Sequence, residues 1–150
     1  MVRAVRGCAR LGRVEAVSAL YETKPVGGPP QPDFLNAALC LYAGLDPEAL
    51  LSALLEMERS EGRERSVPCA PRSLDLDILW IRGLRVQSPR LTVPHPSLHV
   101  RAFALLPLLD VAPDAVEPGS GADYGAVLAR LDRRGVRVVV PDSSWVKTDA

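Results

Sequence analysis

The chain has 150 residues, 47% of them hydrophobic, which is enough for one domain with a buried core. Its 18 basic and 18 acidic residues cancel, which excludes a nucleic-acid binder working by bulk positive charge. No apolar run approaches a membrane span and no secretory segment opens the chain, while Cys8, Cys40 and Cys69 lack metal or redox spacing; reduced thiols and a cytoplasmic address follow.

Residues 2–12 are expected to form an amphipathic helix ending near Gly12. Arg3, Arg6, Arg10 and Arg13 resemble a mitochondrial presequence in charge, but serine is absent, and their helical spacing opposite Val5, Cys8 and Leu11 reads better as a solvated face. Residues 14–22 alternate and predict a strand. Pro25, Gly27, Gly28, Pro29, Pro30 and Pro32 make a stiff loop. A second strand is expected from Phe34 to about Tyr42. Asp46-Pro47-Glu48 combines a capping side chain, a proline at the first helical position and an acid in the first turn. Leu50, Leu51, Leu54, Leu55 and Met57 would be the buried stripe of that helix, and Gly62 would stop it.

Residues 71–78, Pro-Arg-Ser-Leu-Asp-Leu-Asp-Ile, follow. In a strand Asp75 and Asp77 share one face, while Leu74, Leu76 and Ile78 share the other. Two carboxylates side by side repel each other unless a cation lies between them. Hard oxygen ligands with few histidines suit Mg²⁺ shared with substrate phosphates. The bland alternative is two solvated carboxylates on an open sheet face. A turn at Arg82-Gly83, a short partner strand at Leu84–Gln87, and an extended loop at Val93-Pro94-His95-Pro96 come next. A helix is expected over 99–109 with Phe103, Leu105, Leu106 and Leu109. A polar stretch at 113–121 leads to a helix near 124–134 and a strand, Val136–Val140. Strands and helices mixed with hairpin-length links predict an α+β fold, a sheet covered by helices.

Arg63, Arg65, Arg72, Arg90 and Arg101, with His95, crowd the sequence around the two aspartates. Guanidinium forks bind phosphate oxygens in pairs, and phosphoryl transfer depends mostly on positioning and charge neutralisation. The bland reading of each arginine alone is a surface cation. A zinc site at His95 and His99 fails because Pro96 spoils the helical geometry and no third ligand is evident.

Tyr21-Glu22-Thr23-Lys24-Pro25-Val26-Gly27, Gln31-Pro32-Asp33-Phe34-Leu35-Asn36-Ala37-Ala38, the 71–78 segment, Arg90-Leu91-Thr92-Val93-Pro94-His95-Pro96 and Arg101-Ala102-Phe103 together resemble the 6-hydroxymethyl-7,8-dihydropterin pyrophosphokinases. The order and spacing match from residue 2 to about 145. The resemblance implies a ferredoxin-like α/β sandwich, mainly antiparallel. It implies transfer of pyrophosphate from ATP to the hydroxymethyl group of a dihydropterin, leaving AMP, in folate biosynthesis. Asp75 and Asp77 would bind two Mg²⁺ ions bridging the ATP phosphates. Asn36 would bond the pterin edge, with Thr23 and Val26 beside it and Phe34 and Phe103 along the ring. Arg63, Arg65, Arg72, Arg90, Thr92, His95 and Arg101 would contact phosphates or nucleotide, with Glu58 on the helix lining the nucleotide side. Arg72 and His95 would join the two aspartates as catalytic residues. Neither nucleic acid nor a membrane is expected as a partner.

Two departures from that family stand out. The family opens with a central strand and a Gly-Ser-Asn loop, whereas Met1 here begins at the helix that follows. The expectation is a start further upstream, or a strand supplied by another chain; otherwise the protein is a monomer. Pro68-Cys69-Ala70 replaces the family's Arg-Trp-Gly on the closing loop, which removes a phosphate contact and a stacking surface, so impaired activity is expected. The alternatives are a non-catalytic homologue that binds pterin or nucleotide, an interaction module, or an Asp-x-Asp nucleotide-sugar transferase, for which 150 residues leave little room.

Overall fold

In the computed structural model, which describes residues 1–25, 27–62 and 74–147, the first helix is shorter than its arginine spacing predicts. Helix α1 covers Val2–Cys8 and buries Ala4 and Cys8. Gly12 does not stop this helix; it opens strand β1, Gly12–Val17. A Cβ there would lie 2.3 Å from the Tyr42 carbonyl oxygen, so a side chain would push the neighbouring strand away. Arg82-Gly83 forms the expected turn, with Gly83 at φ +68° and an Ile81–Leu84 bridge across it.

The long strands expected at 14–22 and 34–42 are each broken in the middle. Strand β2 is Leu20–Thr23, β3 is Phe34–Asn36 and β4 is Leu39–Ala43. β1 pairs antiparallel with β4, whereas β2 pairs antiparallel with β3. Together they make one bent hairpin whose corner is Ser18-Ala19 opposite Ala37-Ala38. Ser18, 1% exposed, builds that corner. Its N–H donates to the Ala38 carbonyl (2.9 Å), and its Oγ donates to the Ala19 carbonyl (2.7 Å) while accepting the Ala38 N–H (2.9 Å). A hydroxyl that satisfies backbone groups locally competes with the ladder, so the strand turns here. Trp145 Nε1 also donates to the Ser18 carbonyl at 2.9 Å.

Helix α2, Pro47–Ser60, starts as the sequence predicts: the Asp46 side chain accepts the Ala49 N–H at 3.0 Å. Its buried residues are Leu54 and Glu58; Leu50, Leu51, Leu55 and Met57 are only half-buried. Among the described residues, 74–80 join no ladder, so the expected acidic strand is not formed there. Strands β5, Val86–Gln87, and β6, Thr92–Val93, form a short hairpin. The helix expected over 99–109 divides into a 3₁₀ turn at Leu98–Val100 and helix α3, Ala102–Val111. Helix α4, Tyr124–Ala129, ends earlier than expected, and strand β7 runs over Val136–Val140 as expected, pairing with β2.

The fold is α+β, with antiparallel ladders β1–β4, β3–β2–β7 and β5–β6, and α3 lying against the bent hairpin. Leu98, Ala102, Leu105, Leu108, Ala112, Ala115, Tyr124 and Leu128 form the core. No helix among the described residues is long and apolar enough to cross a membrane.

Candidate active site

The pairing of β2 with β3 places Tyr21 opposite Asn36 and Thr23 opposite Phe34. Cross-strand partners share a face, as do alternate residues, so these four side chains lie on one side of the sheet. Tyr21 reaches α3 from that side: its hydroxyl donates to Asp110 Oδ2 at 2.8 Å, and the Ala19 N–H donates to the same oxygen at 3.2 Å. The Asn36 amide Nδ2 donates to Thr23 Oγ1 at 2.9 Å. That bond leaves the amide oxygen and one N–H of Asn36 to serve a ligand edge. Phe34 is 48% exposed and Phe103, near the start of α3, is 36% exposed. Both are flat apolar surfaces available to a planar ring.

Along 74–80 exposure alternates as a strand's would. Asp75 and Asp77 are exposed, whereas Leu74, Leu76 and Ile78 are half-buried. The Leu76 N–H between the two acids donates to Glu58 Oε1 of α2 at 2.7 Å, and Glu58 is only 4% exposed. Further along, the Leu79 carbonyl accepts the His95 N–H at 2.8 Å, and Trp80 Nε1 donates to the Val116 carbonyl at 2.8 Å. Arg82 grips Asp114 with both terminal nitrogens, at 2.8 and 2.9 Å, and that fork holds the Asp114 carboxyl below its ordinary range. The segment is therefore tied at several points by other elements.

His95 is half-buried, and its Nδ1 accepts the Ser97 N–H at 3.1 Å, which leaves Nε2 outside that bond. Thr92 is exposed on β6. Arg90 faces α2: its Nη1 lies 3.2 Å from Glu48 Oε2, and its Nη2 donates to Ser52 Oγ at 3.0 Å. Ser88 bonds the same Glu48 carboxylate. The exposed Arg101 guanidinium lies 5.7 Å from the Phe103 ring centroid, a cation–π distance. Val26, Arg63, Arg65, Arg72 and the Pro68-Cys69-Ala70 loop lie outside the described residues.

The structure thus gathers Thr23, Phe34 and Asn36 on one sheet face, and ties the aspartate segment both to Glu58 and to the His95 backbone. Two exposed carboxylates one residue apart suit a hard divalent cation. Among the described residues no cluster of three His, Cys, Asp or Glu side chains could hold a metal alone. Such a pair would fit Mg²⁺ only with further oxygen ligands from outside the pair. Sequence reasoning missed Asp110 and Ser18. Each is a single polar residue inside an apolar run (Leu105–Val111 and Val14–Leu20, apart from Glu15), which is the pattern of a residue kept for its hydrogen bonds.

Residues 1–113 match the family described as 7,8-dihydro-6-hydroxymethylpterin-pyrophosphokinase. The chain belongs to that family. It is 39% identical over 128 residues to the 2-amino-4-hydroxy-6-hydroxymethyldihydropteridine pyrophosphokinase of Synechocystis, a match covering 85% of this chain and 65% of that protein. The proteins of the same name from Methylorubrum extorquens and Pseudomonas aeruginosa are 41% and 46% identical, over 85% and 83% of this chain. Those two matches cover 79% and 76% of their lengths. The pyrophosphokinase family match ends at Val111-Ala112-Pro113, so α4 and β7 lie beyond it.

Proposed function

We propose that this pyrophosphokinase-family chain transfers pyrophosphate from ATP to 6-hydroxymethyl-7,8-dihydropterin, giving AMP and the pterin diphosphate. The observation that carries this reading is the Asp75–Asp77 pair, exposed together on one side of a tethered segment in a chain of this family. In the reaction the hydroxymethyl oxygen bonds to the β-phosphorus of ATP. The bond from that phosphorus to the α,β-bridging oxygen breaks, AMP keeps the electron pair, and the hydroxyl proton passes to solvent.

Asp75 and Asp77 would hold Mg²⁺, which when bound neutralises phosphate charge and aligns the transferring group. Asn36 and Thr23 fix the edge of the pterin, with Val26 completing the recognition. Phe34 and Phe103 flank its ring, so the hydroxymethyl arm is aimed rather than activated. His95 offers Nε2 to a phosphate oxygen. Arg101 supplies a guanidinium beside Phe103, and Arg63, Arg65 and Arg72 supply further phosphate contacts, with Thr92 near the nucleotide. Arg90 is held by Glu48 and Ser52, which favours a role in anchoring the β5–β6 hairpin to α2 beside any nucleotide contact. The free thiols of Cys8 and Cys40 support a reducing, cytoplasmic setting. The active unit is proposed to be a monomer.

The test is AMP release from Mg-ATP by the purified chain, with and without 6-hydroxymethyl-7,8-dihydropterin. Pterin-dependent AMP is the expected result. Binding of both ligands with no AMP in either arm would instead support the non-catalytic homologue.

A further inference from the structure

We propose that Glu58 is a positioning residue for the aspartate pair: its buried carboxylate holds the Leu76 amide and so fixes the two side chains that flank it. This rests on the reading of Asp75 and Asp77 as the metal-binding pair. A carboxylate only 4% exposed is costly to bury unless strong donors meet it. The Leu76 N–H does so at 2.7 Å, within the range of charge-assisted bonds.

The geometry assigns that bond its consequence. Residues 74–80 have no ladder partner among the described residues, so the Leu76 amide is held by a side chain of α2 and not by a neighbouring strand. In an extended chain the residues on either side of Leu76 point away from its own side chain, and the peptide planes are shared. Fixing the Leu76 nitrogen therefore fixes the Cα of Asp75 directly and that of Asp77 one residue on. Glu58 turns its carboxylate inward to the backbone, while the aspartates turn theirs outward. It acts through them, as groups behind metal ligands commonly do.

The test uses the full chain with Glu58→Met, which keeps the side-chain length but has no oxygen acceptor, and Glu58→Gln, which keeps one. Mn²⁺ affinity is read by electron paramagnetic resonance in the presence of α,β-methylene-ATP, and amide exchange of Leu76 by NMR. The expected result for Glu58→Met is an affinity loss of about tenfold with faster Leu76 exchange. Glu58→Gln should stay within about threefold of wild type, because an acceptor of the same reach remains. Wild-type Mn²⁺ affinity in Glu58→Met would overturn the positioning role alone. A tenfold loss in Glu58→Gln with unchanged Leu76 exchange would overturn it too, since the charge itself would then be meeting the ligand. Absence of Mn²⁺ binding by the wild type would overturn the metal reading and this proposal with it.

Discussion

Replacing Asp110 by Ala tests whether α3 holds the pterin-side strands through one oxygen. Asp110 Oδ2 accepts both the Tyr21 hydroxyl at 2.8 Å and the Ala19 N–H at 3.2 Å. Tyr21 is 5% exposed and Ala19 7%, so both donors lose their partner where water reaches poorly. Burial, and then the Asp110 hydrogen bond and charge, push the Tyr21 hydroxyl pKa well up, so it is a donor at neutral pH. A hydrogen bond to a charged group contributes about 1.5–3 kcal/mol, and a longer amide bond about 1. Asp110 itself is exposed, so water recovers part of the loss. The net cost of Asp110→Ala is set at about 2–3 kcal/mol, or roughly 5–10 °C in Tm for a chain of this size. Tyr21→Phe should cost less, about 1 kcal/mol, because Asp110 keeps the Ala19 amide and meets water. The double variant should fall short of the sum by about 1 kcal/mol, the coupling of groups in direct contact. Thermal and urea unfolding followed by circular dichroism measure all three. Asp110→Ala within 1 °C of wild type, or strict additivity, would refute this account of how α3 is attached. Tyr21 pairs with Asn36 in register, so pterin affinity should fall in Asp110→Ala while ATP affinity holds.

Asp77→Ala should reduce AMP formation by more than about 100-fold and leave pterin affinity within twofold, read by calorimetry; undiminished turnover would remove Asp77 from the metal site. Asn36→Ala deletes the amide that Thr23 orients, and should weaken pterin binding by about tenfold with ATP spared; an equal loss of both ligands would contradict the assignment. Glu117 gives a prediction in pH. Backbone and side-chain hydrogen bonds from Ser120, and then the Gly119 N–H, lower its carboxyl from 4.5 to about 2. A depressed folded value means the stabilisation is complete above the unfolded value and is lost as acid titrates the folded group. Wild-type stability should therefore fall between about pH 4.5 and 2, with a shallower slope in Glu117→Gln; parallel profiles would show that Glu117 is not titrating as stated.

The shared exposure of Asp75 and Asp77, the α2 cap and the closing strand Val136–Val140 were legible because each rests on local chemistry: alternation, an Asp-Pro-Glu start, a β-branched run. The breaks in the two long strands were not. Ser18 reads as an ordinary polar position in an alternating run, and only the chain folding back from Ala38 gives its hydroxyl the partners that turn it into a corner. Glycine usually ends helices, so Gly12 looks like a helix stop in the sequence, whereas its constraint comes from the Tyr42 carbonyl, thirty positions away. Asp110 was likewise silent, since its donors come from β2 and from the corner before it. What failed to show was in each case a tertiary contact.

The same distinction explains how the aspartate segment is held. Two like charges side by side repel each other, so a segment that carries them needs anchors from elsewhere in the fold. Among the described residues the segment is held by Glu58 on the Leu76 amide, the His95 amide on the Leu79 carbonyl, and the Val116 carbonyl on the Trp80 ring nitrogen. The second of these matters most for chemistry. His95 and Asp77 are far apart in sequence, yet the bond from the His95 N–H reaches a carbonyl only two residues beyond Asp77. The imidazole is set in turn by Ser97 on its Nδ1. The backbone of that imidazole is thus clamped to the segment that carries the aspartates. In the proposed reaction, holding groups in place in this way is what a displacement at phosphorus asks of a protein.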